Sequence, residues 1–287
     1  MFPGDPSGPP HLIYNCRCRI KAVVEGNEQG GQRRARDPET GRNVLIENMS
    51  YAEWAGWKES TKTISINDAK SIKDVETVFR DRDWFIHGEG ELAGWRSDEG
   101  LSLDGLDVES AKYVYSTYEK FFDKFPQLKN KLAAPISSKL DVTKYAECTM
   151  GFGSGLVNIS KGKYANYEKT KMNIGKMVNS GLFSSTDMIM HELGHSVDNY
   201  LSCNLHLFGV QGKKNTDFVS NKVRAQILKE SGMKLGDIKS EVSEYATTNA
   251  HEWFAECFAE YMTSDSPRKC AKTLGEWIEK QICGDAT

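Results

Sequence analysis

Residues 188–200, Met-Ile-Met-His-Glu-Leu-Gly-His-Ser-Val-Asp-Asn-Tyr, constrain this chain more than any other stretch. Within them His191, Glu192 and His195 form the pattern H-E-x-x-H. On a helix, residues four apart lie on one face, so both imidazoles can reach one metal ion with Glu192 beside it. We therefore predict a zinc site, at which Glu192 is the general base for water that the metal has made more acidic.

The flanking residues favour a helix over this stretch. Residues 184–187, Ser-Ser-Thr-Asp, provide a capping-box-like start, and no proline follows before Tyr200. The alternative is a surface helix that carries two of the chain's six histidines by chance. A third ligand decides between the two, because catalytic zinc takes three protein ligands and a water.

A second helix is expected to supply that ligand. Asn249 and Glu252 have the spacing of an N-cap and the third helical residue. Glu252 and Glu256 lie on a face whose other residues include two alanines, so a neighbouring helix can come close. We predict Glu252 as the third zinc ligand and Glu256 as a hydrogen-bond partner of a ligating imidazole. The alternative is a solvated acidic face beside an aromatic core.

The residues after the second histidine exclude one class of zinc site. The metzincin pattern needs glycine and histidine at positions 198 and 201, where this chain has Asp198 and Leu201. A glutamate ligand from a later helix, the gluzincin arrangement, remains.

Composition narrows the class of protein. With 287 residues and 39% hydrophobic residues the chain can bury a core, and its net charge of −3 favours neither nucleic-acid nor membrane-surface binding. We expect neither a membrane span nor a signal peptide. Seven scattered cysteines without a C-x-x-C pair favour reduced thiols in a cytosol, with Cys16 and Cys18 structural and not metal-binding.

The N-terminal third differs from the rest. Residues 1–60 hold little apolar material, and we predict a short irregular segment there. It contains a strand-like run at residues 18–24, a loop with glycines and arginines through Gly41, and then the apolar residues 44–46. Residues 61–105 are predicted to be a linker passing into an irregular region, with His87 as a loop histidine.

Residues 106–287 are predicted to form an α+β domain. Asp107 or Ser110 caps a helix whose aromatic stripe is core, and it ends before Pro126. A glycine-rich turn at residues 151–155 leads into Leu156–Ser160. In zincin-like folds a strand shortly before the metal helix lies at the edge of the sheet beside the cleft, where an extended substrate pairs its backbone, and we expect Leu156–Ser160 to be that strand. A phosphate-binding role for the glycines is disfavoured, because the P-loop ending is lacking. A further helix is expected from about residue 215 to Gly232.

Two resemblances add to this interpretation. Residues 3–10, 15–18 (Asn-Cys-Arg-Cys), 43–46 and 49–54 resemble the C-terminal end of tailed-phage minor head (head-morphogenesis) proteins. That resemblance implies a phage or prophage gene, phage structural proteins as partners, and a location in the bacterial cytoplasm or on the virion.

The second resemblance lies in residues 191–200, 243–245, 248–249 and 252–258, which are similar to the catalytic domain of the anthrax lethal factor family over roughly residues 185–285. It implies a zincin fold with His191, His195 and Glu252 on zinc and Glu192 as general base. It also implies that Tyr245, seven residues before Glu252, stabilises the oxyanion, and that Asp198 and Glu256 support the ligands.

Two functions follow as expectations. The first is a zinc-dependent endopeptidase with a protein or peptide substrate. The second is a virion or head-assembly protein in which the zincin part is a binding module.

Overall fold

The computed structural model describes residues 32–36, 42–47, 64–86, 100–151, 154–204 and 218–284. The chain divides into two compact units, Met1–Lys62 and Thr63–Thr287. Three of the predictions, the structural cysteines Cys16 and Cys18 and the loop histidine His87, lie outside the described residues.

The described part of the first unit is a β-hairpin. Strand β1 (Gln32–Arg36) pairs antiparallel with β2 (Asn43–Glu47), with Arg36 opposite Asn43. The strand-like run predicted at residues 18–24 lies outside the described residues, and the apolar residues 44–46 are part of β2. Residues 32–36 were expected to lie in a loop, and that prediction is wrong. Their arginine-rich composition does not indicate a strand, which instead results from pairing with β2.

The sheet of the second unit has three strands in the order β3–β5–β4. They are β3 (Ile136–Ser138), β4 (Ala146–Gly151) and β5 (Ser154–Ser160). Strand β5 is parallel to β3 and antiparallel to β4. The strand predicted at Leu156–Ser160 therefore exists, but its predicted edge position is wrong. It is central and β4 is an edge, because β4 pairs with β5 on one side as a hairpin and β3 pairs with it on the other.

Eight helices make up most of the described second unit. They are α1 (Ile72–Arg80), α2 (Val108–Lys124), α3 (Tyr167–Asn179), α4 (Met188–Asn204), α5 (Val219–Glu230), α6 (Ile238–Glu241), α7 (Ala250–Thr263) and α8 (Lys269–Cys283). The unit is thus α+β, mostly helical with a small sheet, in agreement with the predicted class. The helix expected from about residue 215 to Gly232 is α5, which buries Val219, Val223 and Ile227, and Gly232, with φ at 74°, follows it.

The aromatic stripe on α2 forms the centre of the core, as predicted. Asp107 caps the helix by accepting a hydrogen bond from the backbone N–H of Ser110 at 2.6 Å. Tyr118, Phe121 and Phe122 are completely buried.

The second unit starts well before the predicted boundary at residue 106. The ring of Phe79 on α1 lies 5.1 Å from that of Tyr115, and Trp84 stacks on Phe122 at 5.3 Å between centroids. The described residues 64–86 and 100–105, expected to be linker or irregular, therefore form part of this core, because their aromatic side chains fill the space along α2.

Among the described residues, no helix has the length and apolar character required to cross a membrane.

Candidate metal centre

The first half of the site is α4, whose start is fixed by a partly buried carboxylate. Asp187 caps it by accepting a hydrogen bond from the backbone N–H of Met190 at 2.9 Å. The hydroxyls of Tyr113 and Thr117 also donate to Asp187, at 2.5 and 2.9 Å. Burial raises the pKa of Asp187, and these hydrogen bonds act in the opposite direction. The predicted cap at residues 184–187 is thus confirmed and ties the helix to α2.

His191 and His195 follow on the buried side of α4. Their ring centroids are 5.0 Å apart, as one helical turn requires. The two residues are only 5% and 9% exposed, so the surface-helix alternative does not describe them.

The second half of the site is α7. The side chain of Asn249 accepts hydrogen bonds from the backbone N–H groups of His251 and Glu252, which confirms the predicted cap. The helices approach closely at Gly194: a Cβ built there would lie 2.9 Å from Cα of Ala255. Because both positions are small, the carboxylate one turn before Ala255 reaches the two imidazoles.

His191, His195 and Glu252 converge on one point. Oε2 of Glu252 lies 3.1 Å from Nε2 of His191 and 3.3 Å from Nε2 of His195. One ligand atom from each residue lies within 4.8 Å of the others. Tetrahedral zinc with ligands at about 2.0–2.1 Å requires ligand atoms about 3.4 Å apart. The donor set of two imidazoles and one carboxylate therefore fits zinc in both chemistry and spacing.

The charges of this cluster are strongly coupled. Burial by itself lowers the pKa of His191, but its hydrogen bonds to Glu252 and Glu256 raise that pKa to about 10. Burial acts to raise the pKa of Glu252, yet hydrogen bonds from His191 and His195 bring it well below the usual value. Glu252 thus lies within ion-pair distance of both imidazoles.

Glu256 contacts His191 at Nδ1, the ring nitrogen that does not contact Glu252. Its Oε1 is 2.8 Å from Nδ1 of His191, and its Oε2 accepts a hydrogen bond from the backbone N–H of Ser184 at 2.6 Å. Burial acts to raise the pKa of Glu256, but its other interactions lower that pKa overall, and the largest of them is the hydrogen bond to His191. A carboxylate on Nδ1 orients a ligating imidazole, as is common at zinc sites.

Glu192 faces the same point from α4. It is 9% exposed, and its carboxylate accepts a hydrogen bond from the backbone N–H of Cys148 on β4. Burial raises the pKa of Glu192, while His191 and His195 lower it. The edge strand thus positions this carboxylate beside the metal ligands.

Tyr245 stands at the His191 end of the site. It opens a 3-10 turn, Tyr245–Thr247, and its ring lies 5.9 Å from the His191 ring and 5.2 Å from Phe183. Burial and then the nearby carboxylate of Glu252 raise the pKa of Tyr245 to about 12. The phenol is therefore a hydrogen-bond donor at neutral pH.

Asp198 is fully buried, but its contacts differ from those implied by the resemblance. Its Oδ2 lies 2.8 Å from Nδ1 of His251, and its Oδ1 accepts a hydrogen bond from the backbone N–H of Ser220 at 3.0 Å. Within the described part of the chain, Nδ1 of His195 is buried without a hydrogen-bond partner. Asp198 thus supports His251 and the start of α5, not a ligating imidazole.

The three candidate ligands, Glu192 and Tyr245 line one cavity of about 350 Å³. Edge strand β4 contributes Glu147, Cys148 and Met150 to its lining. Other lining residues are Phe218, Asn249 and His251.

Sequence reasoning missed two features of this cavity. One is β4, whose pairing gives no strong local signal. The other is His251, a cavity-lining histidine whose position directly before Glu252 was an available signal.

One family comparison bears on this region. Residues 158–274 match the sequence model of the family described as Anthrax toxin lethal factor, N- and C-terminal domain. The matched range contains α4, α5 and α7 and is consistent with the resemblance drawn from residues 185–285. No curated protein and no solved structure matches the chain.

Proposed function

We propose that this chain is a zinc-dependent endopeptidase with a zincin-like fold. The observation that carries the proposal is the convergence of His191, His195 and Glu252 within 4.8 Å, at a cavity that also holds Glu192. The match of residues 158–274 to the lethal factor family, which is linked to zinc metalloproteases, supports the same activity.

Each residue has a role that its environment suits. His191, His195 and Glu252 hold the zinc, and Glu256 orients His191 through Nδ1. When bound, zinc supplies Lewis-acid polarisation of a carbonyl and makes water a stronger acid. Glu192, buried and held by Cys148, accepts the proton of the attacking water and passes it to the leaving amine. Tyr245 donates a hydrogen bond to the oxygen on which negative charge develops.

The substrate is a peptide in extended conformation along β4. This strand is at the edge of the three-stranded sheet and lines the cavity beside Glu192. An extended peptide can add to such an edge through backbone hydrogen bonds. Such hydrogen bonds form with any peptide sequence, so β4 would bind the main chain of the substrate without selecting its side chains.

Two substitutions test the proposal. Glu192→Gln keeps the ligands and removes the base, so we expect zinc at one per chain and loss of peptide cleavage by about 10²–10⁴-fold. Glu252→Ala removes a ligand, so we expect zinc content to fall. Metal analysis and cleavage of a peptide library give both measurements. Cleavage by the Glu192→Gln chain at the wild-type rate would show that the assigned base is wrong.

A second proposal concerns origin and location. Residues 3–10, 15–18, 43–46 and 49–54 support a phage or prophage gene whose product associates with phage structural proteins, in the bacterial cytoplasm or on the virion. In the alternative form of this proposal, the chain is a virion or head-assembly protein whose zincin part binds a partner without cleaving it. Purified particles containing the chain in fixed stoichiometry, without zinc or proteolysis, are the result expected from that alternative. Zinc at one per chain with cleavage in the same particles would contradict it.

A further inference from the structure

His251 is the one cavity-lining histidine that the proposed function leaves without a role, among the described residues. Its side chain is 16% exposed. Its Nδ1 lies 2.8 Å from Oδ2 of Asp198 and 3.1 Å from Oγ of Ser220, and the ring packs edge-on against Phe218 at 4.4 Å. Three contacts from two other helices therefore fix the ring.

This cluster is not a nucleophilic triad, although it contains serine, histidine and aspartate. A triad needs the carboxylate on one ring nitrogen and the hydroxyl on the other. Here both Asp198 and Ser220 lie at Nδ1. Serine activation is therefore excluded by the geometry.

The buried carboxylate determines the tautomer of His251. Asp198 is 0% exposed, and its carboxylate accepts from the backbone N–H of Ser220 and lies 2.8 Å from Nδ1 of His251. A carboxylate accepts, so Nδ1 carries the proton and donates. Nε2 is then the acceptor nitrogen, and within the described residues no hydrogen bond occupies it.

His251 and Tyr245 lie toward opposite ends of the metal triad. Tyr245 packs near His191, whereas His251 contacts Asp198, two turns further along α4. Seven residues of helix correspond to about 10 Å, and an extended peptide advances about 3.3 Å per residue. His251 therefore lies too far from Tyr245 for both to contact the same oxyanion. It can reach a substrate side chain about two or three residues from the scissile bond.

We propose that His251 is a specificity residue, whose Nε2 selects a peptide bearing a hydrogen-bond donor at one position removed from the scissile bond. Serine, threonine, asparagine and glutamine side chains have the required donor, and Phe218 provides the apolar wall beside it. Asp198 is the positioning residue that aims the ring. The proposal rests on the proposed function in using the same cavity for a peptide.

The test uses binding, so that it does not depend on cleavage. The full-length Glu192→Gln chain, loaded with zinc, is incubated with an immobilised positional-scanning peptide library. We expect enrichment of donor side chains at one position. Adding His251→Asn should reduce that enrichment about five- to tenfold, the value of one neutral hydrogen bond. The asparagine amide replaces Nδ1 as donor to Asp198 but offers nothing in place of Nε2.

A matched variant separates substrate contact from structural support. His251→Ala removes both nitrogens, so it should lose selectivity to the same extent as His251→Asn while also unfolding at a lower temperature. Zinc content should stay at one per chain in both. Selectivity that survives in His251→Asn, enrichment of aspartate or glutamate at that position, or no position-specific binding at all would each overturn the proposal.

The two proposals fail in different ways. If the wild-type chain cleaves no peptide but the Glu192→Gln chain shows His251-dependent selection, the proposed peptidase activity is wrong. The proposed role of His251 in peptide selection is then still supported. If the wild-type chain cleaves and the selection is the same with asparagine at position 251, only the role of His251 is wrong.

Discussion

At the scale of single residues, the site is defined by carboxylates placed against imidazoles. Glu252 lies against Nε2 of His191 and Glu256 against Nδ1, so one ring is held from both sides. Burial alone would favour the neutral form of that imidazole. The two carboxylates reverse this preference, and the reversal has a measurable consequence for metal binding.

We expect zinc binding to release a proton from His191. With its pKa raised to about 10, His191 is protonated at neutral pH in the metal-free protein, and zinc binds only the neutral ring. Because protonation competes with zinc, the affinity should rise with pH, about tenfold per unit for one proton. Calorimetry in buffers of different ionisation enthalpy measures the protons released.

Glu256→Gln is the control for this prediction, because it removes one of the two carboxylates that raise the pKa of His191. Removing it should lower the pKa of His191, so the affinity should stop rising at a lower pH than in the wild-type chain. An affinity that is independent of pH around neutrality in the wild-type chain would contradict the assignment.

At the scale of elements, the site depends on how closely α4 and α7 approach. Gly194 supplies the space on α4, and a glycine in a helix interior otherwise costs about 0.5–1 kcal/mol relative to alanine. Gly155 has a similar role between β5 and α4, since a Cβ there would lie 2.0 Å from Oγ of Ser196. Gly155, which was predicted to lie in a turn, is thus a packing residue within β5.

Gly194→Ala should separate the two halves of the metal site. The added Cβ meets the backbone of Ala255 at 2.9 Å, so α7 must shift away from α4. We expect a loss of about 1–3 kcal/mol in the free energy of unfolding, typical of overpacking, together with weaker zinc binding. Chemical denaturation and zinc titration measure the two effects.

Gly175→Ala is the matched control, because a Cβ at this position of α3 meets nothing within 4 Å. It should be neutral or stabilise the protein by up to about 1 kcal/mol through helix propensity, with unchanged zinc affinity. Equal behaviour of the two variants would show that the helix contact at Gly194 is not tight.

At the scale of the whole molecule, the metal site depends on a core assembled from distant parts of the second unit. Helix α2 lies between α1, which contributes Phe79, and α7, where Phe258 packs on Phe121 at 6.2 Å. The site helices are thus supported through α2 by residues that precede it in sequence.

A chain covering Thr63–Thr287 should fold cooperatively and bind zinc, whereas one starting at residue 106 should not. The shorter chain lacks Phe79, Trp84 and Phe85, which are 1%, 4% and 1% exposed. Losing one large buried aromatic costs about 3–5 kcal/mol, so losing three exceeds the stability of most domains. Circular dichroism during thermal unfolding distinguishes the two chains. Cooperative unfolding of the shorter chain would contradict this division.

The sequence by itself determined the features that depend on neighbours in the chain. The spacing of His191 and His195 and the caps at Asp187 and Asn249 act within one or two helical turns, where periodicity and hydrogen-bond chemistry are local. Only the tertiary structure decided that β4 is at the edge, that Asp198 supports His251, and that residues 64–86 complete the core. These features join segments far apart in sequence, and their free energy comes from burial and pairing that no single segment specifies.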